Sequence, residues 1–187
     1  MKKELKNICP AIFPMPVILI ATYNEDGTVD VMNAAWGCAH DTKEIKLNIS
    51  ESHRTTKNIR RTGCFTVTVA TEKHMAEADY VGIVSADRVK DKFERTGLKA
   101  HSSKIVDAPI LDDFPICMEC KAKDCTDEYG VLGDILRLSV DEEYIGENGV
   151  IDLEKMRVIA YDPFNHGYYV VGKKVGLAFS IGKELMK

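Results

Sequence analysis

The stretch Ile45-Lys46-Leu47-Asn48-Ile49-Ser50-Glu51-Ser52-His53-Arg54-Thr55-Thr56-Lys57-Asn58-Ile59-Arg60-Arg61-Thr62-Gly63-Cys64-Phe65 carries the most information in the chain. Ile45, Leu47 and Ile49 alternate with Lys46 and Asn48, the period-two pattern of a strand with one buried and one polar face. Ser52 then precedes a segment over residues 53–61 that Gly63 closes, which predicts a helix of under three turns with Ser52 as its N-cap. Phe65, Val67 and Val69 repeat the strand pattern with threonines between them. The order is strand, turn, helix, strand.

Outward from this segment, strand signals dominate. Residues 17–22 are a β-rich apolar run, Asn24-Glu25-Asp26-Gly27 is a turn cluster, and residues 28–32 follow, so the two runs read as a hairpin. Later strands are expected over residues 65–69, 116–122, 133–140 and 167–172, with a shorter one over 157–161. Two more helices are expected, over residues 72–84 and, closed by Gly97, over 89–95. A doubly wound parallel sheet needs a helix between most successive strands, and these are missing. The pattern predicts a mainly β, antiparallel barrel with short peripheral helices, formed as a single domain across residues 1–187.

Composition narrows the function. The chain has 25 Lys+Arg against 29 Asp+Glu, a formal charge of −4, so there is no positive excess to hold a phosphodiester backbone, and nucleic acid is not expected as a partner. Lys2, Lys3 and Lys6 before an apolar stretch over residues 8–21 imitate an export signal, but Pro10, Pro14 and Pro16 would break its helix. No run of about 18 apolar residues occurs, so no membrane partner is expected. The expected location is cytoplasmic, with the six cysteines (Cys9, Cys38, Cys64, Cys117, Cys120 and Cys125) as reduced thiols.

Two segments could hold a ligand. Around the helix start, Ser50, Ser52, Thr55 and Thr56 offer hydroxyls, with Arg54 and Lys57 as cations. A helix N-terminus leaves amides unpaired and carries partial positive charge, so a phosphate monoester there would meet amides, hydroxyls and a cation together. An ordinary capped helix with a solvated basic face fits the same residues. In Asn33-Ala34-Ala35-Trp36, small residues permit close backbone approach to a flat ligand that Trp36 could cover; a core tryptophan beside small neighbours is the commoner explanation of such a segment.

Cys117-x-x-Cys120-x-x-x-x-Cys125 invites a metal or thiol-redox reading. On a strand, however, Ile116, Met118, Cys120 and Ala122 alternate inward, and Cys117 and Cys120 then point to opposite faces. No metal is expected, and Cys120 reads as core packing. Cys9 and Cys38 likewise read as buried apolar residues, and a redox-active surface thiol at Cys117 or Cys125 is an alternative that no other residue supports.

Taken in order, Pro16-Val17 with its apolar strand, the Asp26-Gly27 turn, Asn33-Ala34-Ala35-Trp36, Ser52-x-Arg54-Thr55-x-x-Asn58-Ile59, Gly63-x-Phe65-x-Val67, Asp91-Lys92-Phe93 with Gly97-Leu98, and Tyr168-Tyr169-Val170-Val171-Gly172 resemble the flavin reductase-like family, particularly its flavoredoxin-type members. The resemblance implies a homodimeric, FMN-binding split β-barrel of Greek-key-like antiparallel strands. It implies that Asn33, Ala34, Ala35 and Trp36 run along the isoalloxazine, Asn48 and Ser50 lie beneath the ribityl chain, and Ser52, Arg54, Thr55 and Lys57 gather at the phosphate. Lys92 is a further candidate contact.

The activity implied is an NAD(P)H-dependent reductase passing electrons through FMN to a small acceptor, free flavin or a ferric complex. The alternative is a flavoredoxin-type electron carrier reduced by a redox protein partner. No G-x-G-x-x-G fingerprint is present, consistent with nicotinamide docking on the flavin in this family. His166, in Asn165-His166-Gly167, is a candidate to face the acceptor or nicotinamide; an exposed turn histidine is the other reading.

Overall fold

A computed structural model describes residues 2–4, 6, 9–125 and 130–186; Ile8, where the apolar N-terminal stretch begins, lies outside them. The elements in order are β1 (Met15–Pro16), β2 (Ile18–Tyr23), β3 (Val29–Ala34), β4 (Gly37–Asp41), β5 (Glu44–Leu47), α1 (Arg54–Thr62), β6 (Cys64–Val69), α2 (Met75–Ile83), β7 (Ala100–Ser102), β8 (Pro109–Leu111), β9 (Ile116–Asp124), β10 (Val131–Val140), α3 (Leu153–Met156), β11 (Ile159–Asp162) and β12 (Gly167–Val170). Seven strands form one sheet in the order β3-β2-β6-β9-β10-β5-β4, every neighbour antiparallel. Because β3 and β4 are the two edges yet are joined only by Ala35 and Trp36, the sheet curls into a half-barrel. β1, β11 and β12 make a second, three-stranded sheet, and β7 with β8 a separate hairpin.

The alternation read in the sequence is what builds this shape. Along β2, Ile18 and Ile20 join the cluster inside the curl with Ile45, Leu47, Ile49, Phe65, Val67, Cys120 and Val131. Leu19 and Ala21 face the other way, into a cluster with Val31, Ala78, Val81, Phe93, Leu111, Phe114 and Ile159. β2 is therefore buried on both faces, which is why its sequence is a continuous apolar run instead of an alternating one.

α1 leaves the barrel after Ser50 and returns at Gly63, whose φ of 68° ends the helix with its N–H bonded to the Ile59 carbonyl. Ile59, wholly buried, fills the inner cluster from the helix side. Gly37 serves packing too: a Cβ there would sit 2.5 Å from Ile18 Cδ1.

Several expectations are corrected in detail. Helix α1 begins one residue later than predicted; its N-cap is His53, and no side chain caps it, because Ser52 Oγ bonds Ser50 Oγ instead (2.9 Å). The strand expected to reach Ile49 stops at Leu47, where the Asn48 N–H turns to the Trp36 carbonyl (2.7 Å). The helix expected over residues 89–95 is a run of turns and a 3-10 turn at Glu94–Thr96. A segment this short closes too few hydrogen bonds to offset helix nucleation, and burial of Lys92 and Phe93 sets its path instead. β1, β4, β7, β8 and α3 were not legible: all are short, and β4 is a largely exposed edge with no alternation.

Candidate functional site

Two cavities of about 280 Å³ each adjoin at the end of α2, sharing Gly82 and Ile83, and both take residues from the edge strand β3. They form a groove. One end is lined by Asp30, Met32, Ser52, His53, Arg54, Thr55, Ala86 and Lys92. The other is lined by Asn33, Ala35, Trp36, Asp79, Tyr161, His166 and Tyr168.

At the first end the start of α1 presents its opening amides, which have no acceptor within the helix. Arg54 Nε donates to Asp87 Oδ1 (2.8 Å), and Lys57 Nζ lies 3.6 Å from Asp87 Oδ2. Desolvation opposes it, but the Arg54 hydrogen bond and the charges of Arg54 and Lys57 hold Asp87 below the usual carboxylate range. Thr55 is buried and donates to Asp30 Oδ2 (2.6 Å); Lys92, also buried, sits 4.0 Å from Asp30 Oδ1. Burial pushes Asp30 up, against the Thr55 bond and the Lys92 charge, and pushes Lys92 down, against Asp30.

The second end is built by α2 and the β11–β12 hairpin. Asn33 Nδ2 donates to the Ala78 carbonyl (2.9 Å), so this side chain pins α2 to β3. Tyr168 donates to Asp79 (2.8 Å); burial first, then this carboxylate, pushes its phenol up to about 12. Tyr161 and His166 share a hydrogen bond (2.8 Å), and His166 holds a left-handed backbone (φ 54°). Trp36 is 49% exposed at the rim, which excludes the core-tryptophan reading.

Of the residues singled out in the sequence, Ser52, Arg54, Thr55 and Lys92 line the first cavity, and Asn33, Ala35, Trp36 and His166 the second. Asn48, Ser50 and Lys57 are exposed and line neither; Ala34 is committed to pairing with Ile18. Sequence reading missed Asp30, Asp79 and Asp87. An isolated carboxylate in a strand or a turn carries no local signal until its partner is placed.

A family model for the flavin reductase-like domain matches residues 11–157. The chain belongs to that family. Its structure superposes on flavoredoxin of Desulfovibrio vulgaris (Miyazaki F) with a TM-score of 0.92 at 30% identity, covering 97% of this chain and 100% of the other. Flavoredoxin from Methanosarcina acetivorans follows at TM-score 0.84 and 24% identity, over 98% and 100% of the two chains. An FMN-binding domain of a flavin reductases-like enzyme from Shewanella baltica shares the fold at TM-score 0.76 and 18% identity, over 87% and 88%. The half-barrel is thus the FMN-binding split-barrel fold.

The cysteine cluster lines neither cavity. Cys120 packs in the inner core and Cys117 faces away with Glu119, as alternation along β9 requires, but Cys117 is buried and not a surface thiol. Cys38, expected to be buried, is exposed on the edge strand β4. Burial pushes both Cys117 and Cys120 thiols up to about 12, leaving almost no thiolate at neutral pH. Among the described residues no group of three or more His, Cys, Asp or Glu could hold a metal ion, and no helix is long and apolar enough to cross a membrane. At about pH 8 a thiol reagent is expected to label Cys38 in the native protein and to reach Cys117 and Cys120 only after denaturation, read by mass mapping. Native labelling of that pair at the Cys38 rate would revive a thiol role.

Proposed function

We propose that this protein binds FMN in the β3 groove and works as a flavoredoxin-type electron carrier, reduced by a redox protein partner. The observation that carries the reading is the groove's polarity. Its α1 end gathers opening amides, a serine hydroxyl and Arg54, the donor set a phosphate monoester takes, while its far end offers small residues and a half-exposed tryptophan suited to a flat ring. The 30% identity to a flavoredoxin across nearly both whole chains supports carrier over reductase.

Bound FMN would supply the redox chemistry, accepting and releasing electrons through its ring. The protein's own contribution is placement. Arg54, steadied by Asp87 through both Nε and Nη2, has its Nη1 N–H groups to offer the phosphate. The Asn33 side chain fixes α2 against β3 and so sets the groove's width, leaving contact with the ring to the backbone of 33–36 and to Trp36. His166, held by Tyr161, stands at the open end where a donor or acceptor would dock.

The same reading includes a homodimer in the cytoplasm. Val175, Phe179, Leu185 and Met186 are 96%, 99%, 91% and 83% exposed on a C-terminal segment, an apolar load that a second copy would cover. All six cysteines are unpaired thiols, as a reducing compartment favours.

Three measurements test this. Arg54→Ala should weaken FMN by about 2 kcal/mol, roughly 30-fold, with riboflavin affinity nearly unchanged, since the lost contact is a charge-assisted bond to the monoester; equal loss for both ligands would misplace the phosphate. Anaerobic NADH or NADPH should leave the flavin absorbance at about 450 nm intact over seconds. Rapid bleaching by either would make the protein the NAD(P)H-dependent reductase instead, acting on a small acceptor such as free flavin or a ferric complex. Light scattering should give twice the mass of one chain, reduced to one on removal of residues 173–187; a full-length monomer would overturn the dimer.

A further inference from the structure

The floor of the α1 end holds a charged pair that is not joined. Asp30 is 2% exposed and Lys92 4%. Asp30 Oδ2 accepts the Thr55 hydroxyl, but Oδ1, although buried, accepts no hydrogen bond. Lys92 Nζ is the nearest cation, at 4.0 Å, too far for a direct hydrogen bond. Both side chains line the cavity, between the α1 residues Arg54 and Thr55 and the strand residue Met32 that leads to Asn33.

A buried carboxylate oxygen without a donor is unfavourable, so this arrangement is complete only with something between the two groups. The chemistry of the gap is restrictive. A carboxylate only accepts and an ammonium only donates. An anion there would be repelled by Asp30, a cation by Lys92, and an apolar group would leave both unpaired. A hydroxyl answers both, donating to Asp30 Oδ1 and accepting from Lys92 Nζ.

We propose that Asp30 and Lys92 form a hydroxyl-reading site for the polyol chain of the flavin, on the floor of the α1 end beside the residues assigned to the phosphate. The proposal rests on the FMN reading above and deepens it. It makes Asp30, which carries no motif, a determinant of ligand choice: isoalloxazines with a hydroxylated side chain are selected over those without one. Thr55 acts one step back, holding the carboxylate through Oδ2 and leaving Oδ1 unpaired.

The test compares full-length protein with riboflavin, lumiflavin and an N10-pentyl isoalloxazine, which keeps the chain length and removes the hydroxyls. Dissociation constants come from quenching of flavin fluorescence. Wild type should prefer riboflavin to either analogue by at least about tenfold, the scale of one charge-assisted hydrogen bond. Asp30→Asn, which retains an oxygen for Thr55, and Lys92→Met should each reduce that preference to less than about threefold and leave lumiflavin affinity unchanged. Equal wild-type affinities for riboflavin and the pentyl analogue overturn the proposal and assign the gap to water. Variants that weaken riboflavin and lumiflavin alike also overturn it, making the pair structural. The wild-type comparison decides even if a variant fails to fold. Wild-type protein that binds no flavin removes the FMN reading as well, whereas FMN binding that depends on Arg54 without any polyol preference removes this site alone.

Discussion

Helix α1 is fastened to the barrel chiefly by buried hydrogen bonds. Its inward residues are Thr55, Thr56, Asn58 and Ile59, three of the four polar. Thr55 reaches Asp30 on β3, Thr56 donates to the Ser50 carbonyl (2.7 Å), and the Asn58 amide bridges Thr22 Oγ1 (3.1 Å) and Asn24 Oδ1 (3.0 Å) on the first hairpin. Apolar packing tolerates sliding; a set of buried polar groups that must all be satisfied does not. The helix start is thereby locked in one position over the β2–β3 hairpin, and that hairpin forms the wall of the groove.

From this constraint the two ends of the groove follow together. β3 carries Asp30 at one end and Asn33 at the other, and Asn33 reaches across to seat α2, whose last turn supplies Gly82 and Ile83 to both cavities. The segment after α2 then brings Asp87 to Arg54 and Lys92 to Asp30. A ligand lying in the groove would touch the hairpin, α1, α2 and the β11–β12 hairpin at once. Four elements are held in register by a few polar contacts, most of them at least partly buried, so placement of a cofactor and stability of the fold draw on the same side chains.

The charges in this region have divided duties. Asp87 at the surface steadies Arg54, and Asp30 in the interior faces Lys92 without closing on it. Elsewhere a buried carboxylate is fully engaged: Glu119, with no exposure, bonds both Arg137 and Ser103, and Ser103 caps the amides of Ile105 and Val106. That contrast marks Asp30 as the carboxylate left with capacity for a ligand.

The amino-acid sequence by itself determined the strands that alternate, the apolar run that forms β2, the helix that Gly63 ends, the antiparallel class and the family, because period-two burial and an αL stop are local properties of a few consecutive residues. It also marked Ser52, Arg54 and Trp36, whose types announce their chemistry. Only the tertiary structure decided that Lys92 belongs with Asp30, that Arg54 belongs with Asp87, that Asn33 holds a helix and that His166 meets Trp36 in one cavity. The reason is physical: a charged or amide side chain looks solvated in its own segment, and its role appears only when a distant element removes the water around it and supplies, or withholds, a partner.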